Sequence, residues 1–307
     1  MFDQSKIWHW IRTVITEALV VAAIYFLVKH LAGNWNQIAP DLRHIRLGYV
    51  VAACLPTLVM LLLVSWGWTI AMRWVGVPLS ARTGFEIYYR SSIFRYLPGS
   101  FWYLPGRAYL CRQLGVPLTT FAGSAFLELF FLLSAAGILG GIAVTVRFNL
   151  IWLSIISLGC LLSIALALFW PKQLRRLALR EHNASQGQRA KLVAIIVIYL
   201  CAWLMYGTSL SLLLLALNVP VNLSIGNYGY IVSASTAAWI AGFLSFIPTG
   251  LGVREASLAG LLQPIAGAEQ IVLLSLFQRT IEILLEGCLW IIALLIKNGQ
   301  EPKIVPK

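Results

Sequence analysis

The chain has 307 residues, of which 60% are apolar and only 11% charged, and its mean hydropathy is +0.83, a composition that excludes an ordinary soluble domain. The net charge of +12 does not indicate nucleic acid, because such a domain sets its cations on one solvated face beside a soluble core. An integral membrane protein is expected, with its positive excess against anionic membrane lipids.

In chain order, the first apolar run, at about 13–32, follows Lys6 and Arg12 as a signal peptide would. Its length, the Glu17 within it and the want of a small-x-small cleavage site predict an uncleaved anchor instead. Further spans are predicted at about 47–72, 119–146, 150–170, 192–217 and 268–296, giving six crossings, each near the roughly 20 residues that cross the hydrocarbon as a helix.

Two stretches between these spans, 76–118 and 226–267, are too long for loops and are broken in the middle. The first carries Pro98-Gly99 and Pro105-Gly106, two breaks, ahead of Arg107; the second carries Pro248, Gly250 and Gly252 ahead of Arg254 and Glu255. Broken backbone is tolerated at membrane depth only where protein or a wet cavity supplies its hydrogen bonds, so both are predicted to be re-entrant hairpins. The basic connector 171–191 sets the orientation by the positive-inside bias, with both termini and the first hairpin on the cytoplasmic side. The hairpins then enter from opposite sides. The fold expected is an all-α polytopic membrane protein, a single transmembrane domain over 1–307 built as inverted repeats, the common plan of transporters. The first repeat covers about 47–146 and the second about 192–296. The plainer alternative is that both broken stretches are interfacial amphipathic segments.

An ionisable group in hydrocarbon costs at least about 2.5–3.5 kcal/mol on insertion scales, so it marks a functional hypothesis. Arg279, Glu282 and Glu286 share one helical face in the last span, at i, i+3 and i+7; Glu128 lies in the third span, and Arg254 and Glu255 at the second break. With Arg107 these are expected to form a buried cluster. Arg107, Arg254, Glu255 and Arg279 are the substrate-binding candidates, because a guanidinium fork pairs bidentately with phosphate and stays charged at depth. Glu128, Glu282 and Glu286 would hold the arginines or carry protons. The alternative is a static ion-pair scaffold.

The glycines at 250 and 252 allow close approach or positive φ, and the half-helix from Val253 onward offers N–H groups and a positive dipole end to an anion; Pro105-Gly106 before Arg107 offers the same. Phe101, Trp102 and Tyr103 read equally as an acyl groove or an interface anchor. The Gly137–Gly141 GxxxG spacing predicts close helix packing, and Trp8, Trp10, Trp35, Trp74 and Trp170 an interfacial belt. The five cysteines are scattered singly and the four histidines never share a helix turn, so neither disulfide nor metal site is expected. No nucleotide-binding loop, Ser/His/Asp set or HExxH motif occurs; no cofactor and no enzymatic activity are expected.

The run Phe246-Ile-Pro248-Thr-Gly250-Leu-Gly252-Val-Arg254-Glu255, followed by Arg279 in the last span, resembles the signature of the lysylphosphatidylglycerol synthase transmembrane-region family, and Leu97-Pro98-Gly99 to Gly106-Arg107 resembles its first motif. Thr249 stands where that pattern has glycine, and the first hairpin has a second Pro-Gly. The resemblance implies a flippase-like domain that moves polar-headed lipids between leaflets, with Arg254, Glu255 and Arg279 as the second-repeat functional residues and Arg107 their counterpart. The sequence ends soon after the last span, so the lipid-modifying chemistry of the family's two-domain members is not implied.

Three functions remain. The first is a flippase or scramblase for a phosphate-bearing lipid, a phospholipid or polyprenyl-phosphate carrier, in the cell inner membrane. The second is an enzyme or enzyme subunit acting on polyprenyl-phosphate sugars, and the third a non-transporting scaffold of a lipid or cell-wall synthesis complex. The expected partners are a lipid with an anionic headgroup, a second copy of the chain or a lipid- or glycan-synthesising enzyme, and no nucleic acid.

Overall fold

The structure is a computed structural model that describes residues 44–96, 102–148, 154–171, 188–222, 224–245, 250 and 252–296. The expected first span and nearly all of the basic connector lie outside the described residues, as do Pro98, Gly99, Phe101 and Pro248.

Every described element is helical: α1 (Leu47–Trp74), α2 (Ala81–Ser92) continued by a 3-10 turn (Ile93–Tyr96), α3 (Tyr103–Gln113), α4 (Leu118–Phe148), α5 (Ser154–Phe169), α6 (Gln188–Ala216), α7 (Ile225–Leu244), α8 (Val253–Leu262) and α9 (Ala268–Leu295). Of the six expected crossings, three are long and apolar enough by those measures alone, at Leu47–Trp74, Leu118–Gly141 and Gln188–Ala216. The apolar part of α5, Ser157–Phe169, is shorter than that, and α9 has the length but carries Arg279, Glu282 and Glu286.

One turn occurs three times. At the ends of α1, α3 and α6 the helix stops at a residue with positive φ, Gly76 (98°), Gly115 (85°) and Asn218 (55°). In each case the following valine N–H reaches back five residues: Val77 to Met72 (3.0 Å), Val116 to Cys111 (3.1 Å) and Val219 to Leu214 (3.1 Å). This is the Schellman closure, which satisfies orphan carbonyls and needs glycine or asparagine at the left-handed position. Pro78, Pro117 and Pro220 come next and prevent the helix from continuing. After the turns at 76 and 218, Ser80 and Ser224 cap α2 and α7, their hydroxyls accepting N–H groups from Thr83 (3.1 Å) and Asn227 (3.3 Å).

α1 and α6 form the centre and run antiparallel. The Arg46 N–H donates to the Ala216 carbonyl at one end (3.0 Å), and Lys191 Nζ donates to the Arg73 carbonyl at the other (3.2 Å). Between them Gly67 lets the Tyr199 ring approach to within 2.7 Å of where a Cβ would sit. Around this pair, α2 packs on α9 and α7 packs on α4, so each broken segment lies against a long helix from the other half of the chain. The expected close packing at the GxxxG is present, but its glycines serve different neighbours: Gly137 faces Cys160 of α5, while Gly140 faces the Ala237 backbone of α7 at 2.9 Å from its Cβ position. Trp170 is half exposed, whereas Trp74, expected in an interfacial belt, is 1% exposed; its place at the end of α1 puts it in the core.

Candidate functional site

Both broken segments are helix, break, helix, yet their geometry differs from expectation in the first. Pro105 and Gly106 form no second break. They lie inside the first turn of α3, where a missing proline N–H costs nothing because first-turn donors have no intrahelical acceptor. Gly106 is there for packing, since its Cβ would come within 2.6 Å of the Phe94 ring. In the second segment Gly250 (φ 68°) and Gly252 (φ 82°) both take left-handed backbone, and Gly250 folds so closely on α7 that its Cβ would meet Gly242 Cα at 2.7 Å. The new helix begins at Val253, as the sequence suggests. Its end is occupied by the chain itself: Glu255 Oε2 accepts the Gly252 N–H at 2.6 Å.

The ionisable residues singled out in the sequence meet in pairs. Arg107 Nη1 binds Glu128 Oε2 at 2.7 Å with side-chain exposures of 0% and 3%; Arg254 binds Glu282 at 3.2 Å; Arg279 binds Glu255 at 3.1 Å. Arg254 also donates to the Tyr206 hydroxyl. The fourth pair was not legible in advance: Arg95, from the 3-10 turn, binds Glu286 of α9 at 2.7 Å. Four arginines thus face four carboxylates, and the group sums to zero charge.

A cavity of about 200 Å³ lies among these groups. Arg95, Arg254, Arg279, Glu128, Glu282 and Glu286 line one part of it; Met60, Leu61, Val64, Leu132, Trp203, Trp239 and Phe243 line the rest. It is smaller than the roughly 300–1,000 Å³ that takes a drug-sized molecule, so it suits a headgroup rather than acyl chains. Tyr103 lines it too, while Phe101 lies outside the described residues.

Arg107 does not line the cavity. Its guanidinium is enclosed by Tyr88 (4.0 Å to the ring centre), Trp68 (4.8 Å) and Tyr103 (5.3 Å), and Nε donates to Ser91 at 3.3 Å. Among the described residues Nη2 has no hydrogen-bond partner. Cation–π contact and the Glu128 pair compensate its desolvation. Arg107 therefore holds Glu128, Tyr88 and Tyr103 at the cavity wall.

A neutral network supports the same wall. Ser209 of α6 donates to Gln278 Oε1 of α9 (2.6 Å), and Gln278 Nε2 donates to Glu282 (3.1 Å). Thr57 of α1, next to Pro56, lies 2.8 Å from Ser209 and bonds the Ala53 carbonyl at 2.9 Å. Gln278, 1% exposed, fixes the carboxylate that holds Arg254. No group of three or more His, Cys, Asp or Glu side chains able to hold a metal occurs among the described residues, and the cysteines described are free thiols.

Long apolar helices around a small charged cavity define a helical membrane protein with a polar site inside it. The model of the family described as lysylphosphatidylglycerol synthase TM region matches residues 10–287, and the chain belongs to that family. No curated protein matches it.

Proposed function

We propose that this protein is a flippase or scramblase-like transporter of a phosphate-bearing lipid, a phospholipid or polyprenyl-phosphate carrier, in the cell inner membrane. The observation that carries the reading is the cavity, in which arginines suited to phosphate meet an apolar wall at the junction of two broken helical segments. Midplane sites built from discontinuous helices are the usual place of a transporter's substrate. Membership of a family named for a lipid synthase supports lipid as the substrate class.

The two broken segments are re-entrant hairpins in inverted repeats on this reading. Three features support it: the antiparallel α1 and α6, the reciprocal packing of α2 on α9 and α7 on α4, and the identical turns at Gly76 and Asn218. Both termini face the cytoplasm with the basic connector. A consistent contact is Arg82, which bonds the Ile296 carbonyl at 2.8 Å near the end where Lys191 meets Arg73.

Lipid translocation in proteoliposomes tests the function. Wild type is expected to move a phosphate-bearing lipid, and Arg254→Ala or Arg279→Ala, if folded, to move it at least tenfold more slowly. The proposal fails if wild type moves none across a panel of phospholipids and polyprenyl phosphates, or if folded variants keep its rate. A specific observation favours a second reading, the scaffold: every arginine in the cluster already has its carboxylate. That reading requires both substitutions to lower stability alone. Single cysteines at Ser100 and Thr249, labelled from either side, test the inverted hairpins and are expected to react from opposite faces.

A further inference from the structure

The charge balance of the cavity constrains how it takes an anion. A site for a phosphodiester would ordinarily carry net positive charge, yet here each of four guanidinium groups is matched by a carboxylate. A phosphodiester arriving in that setting leaves one buried negative charge in excess, which the low-dielectric interior tolerates only if a carboxylate takes a proton.

Three of the pairs are fastened by further contacts. Arg107 is enclosed by three rings at 0% exposure. Glu255, which holds Arg279, is bound to the Gly252 N–H. Arg254 is shared between Tyr206 and Glu282, and Glu282 is bound in turn by Gln278. The fourth differs. Arg95 stands on a single 3-10 turn and its side chain is 32% exposed, the most accessible of the four arginines, while Glu286 opposite is 5% exposed. The pair also joins the first broken segment to the last helix.

Resting on the reading of the cavity as a phosphate-lipid site, we infer that the Arg95–Glu286 pair is its exchange point: the ligand phosphate replaces Glu286 on Arg95, and Glu286 binds one proton from water. One ion pair opens, one forms, and the carboxylate becomes a carboxylic acid, so the cavity keeps zero net charge. On α9 the neighbouring groups are Arg279 and Glu282, one and two turns from Glu286 or nearer. α2 brings Tyr88 and Tyr89 within electrostatic reach of Glu286, and its Glu86 and Arg90 pair with each other at 2.8 Å. The other ionisable groups at the cavity are Tyr103, Glu128, Tyr206 and Arg254. Opposite charges nearby cancel in pairs, which leaves Glu286 as the acid exposed by the exchange.

Calorimetric titration of the full-length protein in detergent, in two buffers of different ionisation enthalpy, counts the protons. The probe is dihexanoyl phosphatidylglycerol, a diester that stays a monoanion across neutral pH, with glycerophosphoglycerol as the tail-free arm. About one proton taken up per lipid is expected, and Kd rises about tenfold per pH unit once Glu286 is ionised in the free protein. Glu286→Gln is expected to bind without proton uptake and with a flat pH profile. Binding of wild type without protons overturns the inference and leaves the function standing, and so does uptake that persists in Glu286→Gln. If no phosphate-bearing lipid binds, the functional reading itself fails, and the inference with it. Equal binding of the tail-free arm assigns the site to free phosphodiester instead of lipid, which also removes the function. Should Glu286→Gln not fold, the wild-type proton count decides alone.

Discussion

Glu255 closes the N-terminus of the helix that carries it, accepting the Gly252 N–H at 2.6 Å through one oxygen and Arg279 at 3.1 Å through the other. An anion belongs at a helix N-terminus, where donors lack partners and the dipole end is positive. Here the anion is a side chain, so the half-helix end is not a vacant phosphate cradle; it is a clamp that fixes Arg279.

Separating these two bonds gives the first prediction. Glu255→Ala removes both and is expected to cost about 2 kcal/mol, the sum of a lost cap and a stranded guanidinium. Glu255→Gln keeps an oxygen for Gly252 and is expected to lose less than half of that. Thermal unfolding in detergent measures both; equal losses would show that the cap contributes nothing.

The positive-φ glycines are expected to separate by surroundings. Gly76→Ala meets no atom within 4 Å and incurs only the left-handed backbone cost, about 1–2 kcal/mol. Gly250→Ala adds a clash with the Gly242 backbone at 2.7 Å and is expected to be clearly worse, with lower yield and melting temperature. The prediction is wrong if the two variants unfold together.

Breaking the Arg107–Glu128 pair from one side leaves a charge buried at 3% exposure. Arg107→Gln is expected to cost about 3–5 kcal/mol, and the double change Arg107→Met with Glu128→Leu much less, because both charges leave together. A double-mutant cycle on unfolding midpoints reads the coupling, and additive losses would contradict the pairing.

Gln278→Leu is expected to destabilise by about 1–3 kcal/mol by cutting the link between Ser209 and Glu282. Ser209→Ala made in that background is expected to add little, since the shared hydrogen bond is already gone. Full additivity in the same unfolding assay would show that the two act separately.

The parts legible in the sequence are those with a strong local signal. The long apolar helices stand out because lipid-grade sequence is rare elsewhere, and Arg254, Arg279 and Glu282 stand out because charges in hydrocarbon are costly. Arg95 was hidden for the same reason: among the arginines between residues 73 and 112 it looks like one more loop cation, and only its place three residues before Pro98, at a break expected to converge on the other, pointed inward. Gln278, Ser209 and Thr57 are uncharged and common in packed helices, so no local pattern marks their meeting. The Gly/Asn-Val-Pro tripeptide at 76, 115 and 218 was readable as a recurrence. Pro105-Gly106 misled because proline breaks a helix interior but not a first turn, and sequence does not show which turn a residue occupies.

The matching of four arginines with four carboxylates also decides how the site answers to voltage. An unpaired charge carried across the membrane potential does electrical work of about 2.3 kcal/mol per 100 mV. A cluster that moves as neutral pairs does none, so the empty site is electrically silent, and only the charge on the cargo and its accompanying proton can make the cycle sense the membrane potential.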